Sequence, residues 1–250
     1  MFFKKYAKFI ALGFLVALTT IVLDYFWTYT KAEERAYSFL EGNEVIEVRK
    51  DTTAGTEFYV FEIKNNANRK DEKMVFYSGG KVEYLAYAEL CFMLAEEEYT
   101  VYLPKLRFNL AFFDIDVADK FVKLEPANTN WILIGHSLGG VAMANYAAKN
   151  DHIVGLVFLA SYSATDLSNT DIKSLVLSAE FDGLTTKIDI DKAKENFNEA
   201  NTLYLEFAGG NHANFGDYGI QIGDGVATIL KETQFQWVVS NIIEYFYPTD

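Results

Sequence analysis

The chain has 250 residues with a formal net charge of −13, and half of its residues are hydrophobic. This length and composition fit one globular domain with a sizeable core, and the length alone does not require a second domain. The acidic balance argues against a nucleic-acid partner, because binding phosphate backbones requires clustered lysine and arginine. The single cysteine, Cys91, excludes an internal disulfide and offers no metal-binding cluster, so neither a metal nor a cofactor is expected.

The first 30 residues form a predicted membrane anchor. Residues 9–23 contain no charge, and the stretch from Tyr6 to Trp27 has roughly the 20 residues that a helix needs to cross a hydrocarbon core of about 30 Å. The aromatic cluster at 25–29 is typical of a membrane interface. A cleaved signal peptide is the main alternative, although no small-x-small cleavage site follows Leu23. A buried core helix is a further alternative, which the flanking lysines and aromatic residues disfavour.

The charges around this segment predict its orientation. Lys4, Lys5 and Lys8 precede the apolar run, whereas only Lys31 and Arg35 follow it closely. Because cationic residues favour the cytoplasmic side of a membrane, the N-terminus is expected in the cytoplasm. We therefore predict a single-pass protein of the cell membrane with an extracytoplasmic main domain, or a secreted protein where the segment is cleaved. The sequence leaves the oligomeric state open.

The remainder divides into a predicted helical stalk at residues 31–43 and a main domain at residues 44–250. Alternating residues at 44–49 and 57–63 predict a β-hairpin. Further strands are predicted at 74–77, 99–103, 131–134, 153–159, 175–179 and 202–207, and helices at 82–97, 113–124, 138–150, 189–200 and 226–246. This alternation predicts an α/β fold with a mostly parallel sheet that helices cover on both faces.

The segment Gly135-His136-Ser137-Leu138-Gly139 joins an apolar strand pattern to a predicted helix. In this setting Gly-x-Ser-x-Gly predicts a nucleophile elbow, a strand-to-helix turn that exposes a serine hydroxyl at the edge of a sheet. Glycine suits such a strained turn because the helix packs closely behind it. A structural turn serine is the alternative, since the pattern is common by chance.

Two further residues of suitable chemistry follow predicted strand ends. Asp182 follows the next-to-last strand and His212 follows the last one. Because chemistry in a parallel sheet is expected beyond the carboxyl ends of the strands, Ser137, Asp182 and His212 are expected at one edge. Their order supplies a nucleophile, an orienting acid and a base.

Alternatives remain for the acid and the base. Asp182 could be a turn residue, with Glu180 as the substitute acid, and His212 could be an ordinary loop histidine. The two other histidines are less suitable as the base. His136 lies within the elbow and is expected to point away from the serine hydroxyl, and His152 lies in a connection at the opposite edge of the sheet.

Segments 77–82, 135–140 and 209–219 resemble the α/β-hydrolase superfamily, and more narrowly its small single-domain bacterial members of the dienelactone-hydrolase-like group. The resemblance extends from about Glu44 to the C-terminus. It implies that Ser137 is the nucleophile, that His212 transfers its proton, and that Asp182 orients the imidazolium.

The resemblance also implies a backbone oxyanion hole. One donor is the N–H of Leu138, directly after the nucleophile, and the second comes from Gly79, Gly80 or Lys81. Such relatives commonly have a proline before the paired glycines, where this chain has Ser78.

The resemblance implies a serine hydrolase that cleaves small-molecule carboxylic esters through an acyl-enzyme. Residues 160–171 leave no room for a cap domain, so an open pocket that favours short-acyl esters is expected. Residues 107–113 supply either an apolar wall or buried packing. An acyltransferase or amidase with the same triad, and a catalytically silent membrane-tethered binding domain, are the alternatives. The glycine-rich segment 216–225, with Asp217 and Asp224, is interpreted as support for His212 rather than a calcium site.

Overall fold

The computed structural model describes residues 2–65, 67 and 69–248. The side chains of residues 2–5, among them Lys4 and Lys5, and the side chain of Phe26 lie outside this description. The chain divides into two compact units, Met1–Thr30 and Lys31–Asp250. The first unit contains helix α1 (Phe2–Thr28). Its segment Tyr6–Tyr25 has a mean hydropathy of 2.0 and is long and apolar enough to cross a membrane, as signal sequences also are.

The second unit combines one sheet with flanking helices. Its strands are β1 (Ile46–Asp51), β2 (Phe58–Ile63), β3 (Lys73–Tyr77), β4 (Thr100–Pro104), β5 (Trp131–His136), β6 (Ile153–Leu159), β7 (Lys173–Ala179) and β8 (Thr202–Phe207). Its helices are α2 (Glu34–Ser38), α3 (Ala88–Glu96), α4 (Ala118–Val122), α5 (Leu138–Ala147), α6 (Lys187–Ala193) and α7 (Lys231–Phe246).

The described strands form one sheet in the order β1-β2-β4-β3-β5-β6-β7-β8. The hairpin of β1 and β2 is antiparallel, β2 also pairs antiparallel with β4, and every pairing from β4 through β8 is parallel. The predicted mostly parallel sheet is therefore confirmed. The loops after β5, β7 and β8 consequently leave the sheet at the same edge, and we call this the catalytic edge.

Alternating side chains of β3 separate the core into two layers. Met74 and Phe76 pack into a layer with residues of α3 and α7, such as Leu90 and Val238. Val75 and Tyr77 pack into the opposite layer with residues of α4, α5 and α6. Because successive side chains of a strand point to opposite faces, both faces of a central strand must be apolar. This explains the continuous apolar runs in the sequence.

Two predicted helices are wrong in extent. The helix expected at 113–124 is confined to α4, because residues 115–117 form a turn and short 3₁₀ turns at 107–109 and 111–113 precede it. Asp114 stabilises this bend, because its carboxylate accepts the backbone N–H of Arg107 at 2.6 Å and its Nε–H at 2.8 Å. The helix expected at 226–246 begins only at Lys231, since Thr228 donates its N–H to the Gly209 carbonyl instead.

Shorter differences occur at two other helices. The helix predicted at 189–200 is α6 followed by 3₁₀ turns at 194–196 and 199–201, and the predicted stalk is helical only at α2. In α6 the Asp189 carboxylate caps the helix start through the N–H and hydroxyl groups of Thr186. Ala36 of α2 is fully buried, so the segment predicted as a stalk packs within the second unit.

Candidate active site

Ser137 occupies a strained turn between β5 and α5. Its backbone has φ 52° and ψ −123°, a conformation that costs free energy for a residue with a Cβ atom. A Cβ atom on Gly139 would lie 2.2 Å from the Tyr77 carbonyl oxygen, which explains the glycine at this position. The turn is held by the Ser137 N–H, which donates to Leu159 O at 3.0 Å, and by the Ser161 hydroxyl, which donates to Ser137 O at 2.6 Å. The side chain of Ser137 is thus fixed at the end of β5.

Asp182 and His212 are brought together at the same edge. His212 Nδ1 lies 3.0 and 2.9 Å from the two carboxylate oxygens of Asp182, and both side chains are 1% exposed. Asp182 Oδ1 also accepts the backbone N–H groups of Leu184 at 2.8 Å and Thr185 at 2.7 Å. A buried carboxylate with these donors is held in one orientation, and its charge favours the tautomer of His212 that carries a proton on Nδ1.

The second nitrogen of the His212 ring is left open. Nε2 is buried and has no hydrogen-bond partner among the described residues. The His212 ring lies beside the elbow, since its centroid is 4.6 Å from that of His136, the residue before Ser137. Ser137 Oγ and His212 Nε2 do not form a hydrogen bond in this structure. Catalytic hydrogen bonds are often long without substrate and tighten when substrate binds.

His136 connects the elbow to the loop after β3. The side chain is fully buried, and its Nδ1 lies 2.8 Å from Tyr87 Oη. The same hydroxyl accepts the backbone N–H of Gly79 at 3.0 Å. Burial lowers the pKa of His136 well below 6.5, and the neighbouring His212 lowers it further. Burial thus favours the neutral form of His136, and it also raises the pKa of the Tyr87 hydroxyl that lies against Nδ1.

The predicted oxyanion donors differ in their availability. The Gly79 N–H is used by Tyr87, and the Lys81 N–H donates to the Asn109 carbonyl at 2.8 Å. The N–H groups of Gly80 and Leu138 have no hydrogen-bond partner among the described residues. A Cβ atom on Gly80 would lie 2.5 Å from Leu138 Cδ1, so the two residues are neighbours. Two residues with unpaired N–H groups among the described residues are thus neighbours at the elbow.

Asp224, in the loop between β8 and α7, binds the loops that carry Asp182 and His212, which we call the acid–base pair after the roles that the sequence predicts for them. Its Oδ1 accepts the backbone N–H groups of Gly183 and His212, each at 3.2 Å, and its Oδ2 accepts that of Ala213 at 2.8 Å. Within the described part of the chain, no cluster of three or more His, Cys, Asp or Glu side chains suits a metal ion. The Asp224 carboxylate is occupied by backbone donors, as expected for a support of His212.

A buried ionic cluster lies behind the His212 loop. Asp217 is fully buried, and its Oδ1 lies 3.1 Å from Lys231 Nζ. Its carbonyl oxygen accepts the Glu33 N–H at 2.8 Å. Nearby, the Arg35 guanidinium donates to Glu89 at 2.8 Å. Burial raises the pKa of the Glu89 carboxyl above 4.5, Arg35 opposes this rise, and the adjacent Asp217 carboxylate adds to it.

The remaining alternatives are placed away from the acid–base pair. Glu180 accepts the Gly209 N–H at 2.8 Å and forms no hydrogen bond with His212. His152 Nε2 lies 3.1 Å from Tyr146 Oη, before β6 begins and therefore at the opposite edge.

In segment 107–113, Phe112 and Phe113 are about half exposed, which fits an apolar wall. Tyr87 was not predicted as a support, because no local pattern indicates its contacts with His136 and Gly79.

This edge has the elements of a hydrolase with a nucleophile elbow. The Alpha/beta hydrolase family model matches residues 73–236. The fold is similar to that of a putative dienelactone hydrolase from Klebsiella pneumoniae, with 15% identity, a TM-score of 0.58, and coverage of 82% of this chain and 99% of that one. It is also similar to a predicted CIB-like hydrolase from Thermoplasma acidophilum, with 12% identity, a TM-score of 0.58, and coverage of 79% and 98%. No curated protein sequence matches the chain.

The family match spans more than half of the chain and includes the elbow, the Asp182 loop and the His212 loop. The chain therefore belongs to the α/β hydrolase family. At these identities the structural likeness supports the fold alone, and the chemistry must be argued from the residues of this chain.

Proposed function

We propose that this protein is a serine hydrolase that cleaves carboxylic esters through an acyl-enzyme on Ser137. The observation that supports it best is the buried pairing of His212 Nδ1 with Asp182, which leaves Nε2 open beside the elbow. A neutral imidazole with one nitrogen engaged by a carboxylate and the other free is the arrangement that a general base requires.

In the proposed reaction, Ser137 Oγ attacks the ester carbonyl carbon and its proton passes to His212 Nε2. The Asp182 carboxylate stabilises the imidazolium that forms. His212 then returns the proton to the leaving alcohol as the carbon–oxygen bond breaks. Water, activated by the same nitrogen, attacks the acyl-enzyme and releases the carboxylic acid and free Ser137.

The negative charge on the carbonyl oxygen is bound by the N–H groups of Leu138 and Gly80. We assign Gly80 because the other two candidate donors, Gly79 and Lys81, already have acceptors. Backbone donors fixed before the reaction stabilise the transition state without reorganisation, and loss of one such donor costs about 10²–10³ in kcat.

The open site should accept short-acyl esters, including soluble ones. The connection between β6 and β7 is only residues 160–172, which contain no helix and form no cap over Ser137. A short acyl chain needs no enclosed channel, so we expect turnover of soluble short-acyl esters without an activator.

The test compares the full chain with its Ser137→Ala variant. We expect the native chain to be labelled by a fluorophosphonate probe and to show a burst of alcohol release from a short-acyl ester, and the variant to show neither. Ester turnover retained by the variant would disprove the mechanism, and absence of labelling in the native chain would favour a silent binding domain. Capture of the acyl group by an added alcohol or amine in preference to water would identify an acyltransferase or amidase.

We also propose that α1 is an uncleaved signal anchor with its N-terminus in the cytoplasm. Support comes from the apolar segment Tyr6–Tyr25 and from the lysines at positions 4, 5 and 8. External protease added to intact cells should digest the second unit of a membrane-bound chain. Protection of that unit would show the opposite orientation, and its release into the medium at reduced mass would show cleavage.

A further inference from the structure

The catalytic edge carries exposed apolar side chains on four separate loops. These residues, which we call the apolar rim, are Phe112, Phe113, Leu138, Leu184, Ile220 and Ile222. They follow β4, β5, β7 and β8 at their carboxyl ends, and Leu138 directly follows Ser137. Ile220 and Ile222 are 96% and 87% exposed, which leaves two branched aliphatic side chains almost fully in solvent.

The rim is specific to this edge of the domain. At the opposite edge of the sheet, the exposed apolar side chains, such as Val45 and Leu124, are isolated from one another. Single exposed apolar residues are common on soluble proteins, whereas several that surround one site indicate an interaction surface. Exposed apolar side chains on several loops of one edge therefore indicate a surface for an apolar partner.

The chain itself indicates what covers the rim. The second unit begins at residue 31, and its first backbone contacts are at the catalytic edge. Ala32 donates its N–H to Glu83 at 3.1 Å, and Glu33 donates to the carbonyl of Asp217, five residues after His212. The segment before it is the apolar helix whose length suits a bilayer.

Chain length limits how far a membrane could lie from this edge. Between Thr28, where α1 ends, and Glu33 there are five residue steps, which span at most about 18 Å when fully extended. The aromatic cluster at 25–29 lies at the C-terminal end of α1 and just after it. Such clusters are typical of the end of a membrane helix at the lipid interface. A helix anchored in a bilayer would therefore keep the His212 loop close to the lipid interface.

We propose that the apolar rim docks the catalytic edge on the lipid bilayer and that the ester substrate is the acyl ester of a lipid in that bilayer. This inference rests on the proposed function of Ser137. The ester group of a membrane lipid lies at the interface, so an uncapped site can reach it while the acyl chains remain in the hydrocarbon. The strongly acidic chain disfavours attraction by anionic headgroups, so zwitterionic lipids such as phosphatidylcholine are the appropriate surface.

Depth-dependent fluorescence tests the docking in the full chain reconstituted into phosphatidylcholine vesicles. Cys91 is buried, so a thiol introduced by Ile222→Cys takes an environment-sensitive fluorophore selectively. We expect quenchers on the lipid acyl chains to quench this fluorophore, and the matched Leu124→Cys label at the opposite edge to be unaffected. Equal quenching of both labels, or of neither, would overturn the proposal. Cross-linking of Ile222→Cys chains without lipid quenching would overturn it in favour of a second copy.

Activity provides the second measurement. Replacing both isoleucines in an I220S/I222S variant should lower the ratio of phosphatidylcholine hydrolysis in vesicles to soluble short-acyl ester hydrolysis by about tenfold, because apolar area is lost from the docked face. The Leu124→Ser variant should keep the ratio of the native chain. An unchanged ratio with normal soluble turnover overturns only the docking, whereas absence of turnover of both substrates by the native chain overturns the proposed function.

Discussion

The Asp224 carboxylate accepts the backbone N–H of His212 at 3.2 Å. The same oxygen accepts the N–H of Gly183, the residue after Asp182, at 3.2 Å. One side chain thus connects the segments that hold the two members of the acid–base pair. Its role is to set the distance between these segments, because Asp182 and His212 are 30 positions apart and the chain between them includes all of α6 and β8.

Replacing Asp224 with alanine should lower kcat with little change in KM. Three backbone N–H groups would lose their acceptor, and displacement of a catalytic group by about 1 Å can cost roughly 10²-fold in rate. Steady-state kinetics on a soluble short-acyl ester measures the loss. The matched control is Asp51→Ala on the edge strand, since Asp51 also accepts backbone N–H groups, from Thr52 and Thr53. Equal losses in both variants would contradict the positioning role.

Asp182→Asn should reduce kcat by on the order of 10⁴-fold, because an amide can favour the wrong tautomer of His212. The asparagine has the same shape as Asp182, so the variant should keep its fold. Its labelling by a fluorophosphonate should therefore be slower but still detectable. The control is Glu180→Gln, which alters the alternative acid, whose carboxylate accepts only the Gly209 N–H among the described residues. A larger loss in the Glu180 variant than in the Asp182 variant would exclude Asp182 as the orienting acid.

Tyr87→Phe should lower kcat and leave KM nearly unchanged. Without the hydroxyl, the Gly79 N–H loses its acceptor and His136 Nδ1 loses its hydrogen-bond partner. The loop that contains Gly80 is then no longer connected to the elbow through Tyr87. Leaving buried polar groups unsatisfied should also destabilise the fold by about 1–3 kcal/mol.

A second tyrosine separates catalysis from stability. Tyr146 Oη lies 2.6 Å from Asp119 and 3.1 Å from His152, and these contacts involve no residue of the acid–base pair. Tyr146→Phe should therefore lower the unfolding temperature without a comparable loss of kcat. A parallel decline of stability and kcat in both variants would mean that Tyr87 acts on the fold alone.

The sequence sufficed to predict the mostly parallel sheet and the positions of Ser137, Asp182 and His212 after the ends of three of its strands. This was possible because apolar runs of strand length recur regularly, and because parallel strands direct their carboxyl ends to one side. The limits of the helices were less predictable. Residues 226–230 have no local signal against a helix, and the hydrogen bond from Thr228 to the distant Gly209 excludes them from α7.

The supporting contacts could not be predicted for a similar reason. Tyr87 meets His136 across 49 residues of sequence, and Asp224 meets Gly183 across 41. Such pairs depend on how α3 and the loop after β8 pack on the sheet, which no local periodicity encodes. The choice among the three candidate oxyanion donors likewise depended on which N–H groups had acceptors. Gly79 and Lys81 have acceptors, and Gly80 has none among the described residues.

Glu89 should make stability decline as the pH rises. Its folded-state pKa is raised above 4.5 by burial, and the Asp217 carboxylate adds to this rise while Arg35 opposes it. A raised folded-state pKa means that the folded chain holds the proton more tightly than the unfolded chain. The stabilisation is therefore complete below the unfolded-state pKa and is lost as the pH rises through the folded-state pKa. The unfolding temperature of the native chain minus that of the Glu89→Gln variant should therefore decrease as the pH rises from 4 to neutrality.

Glu57 supplies a control of opposite sign. Hydrogen bonds from Lys50 and Tyr84 lower the pKa of Glu57 to about 2. Its stabilisation is present above the unfolded-state pKa and is lost as the pH falls through the folded-state pKa, so the advantage of the native chain over Glu57→Gln should decline only below about pH 5. Thermal unfolding of the full chain in detergent at several pH values measures both differences. If the advantage of the native chain changed with pH in the same direction for both variants, the Glu89 carboxyl would be ionised in the folded protein and paired with Arg35 alone.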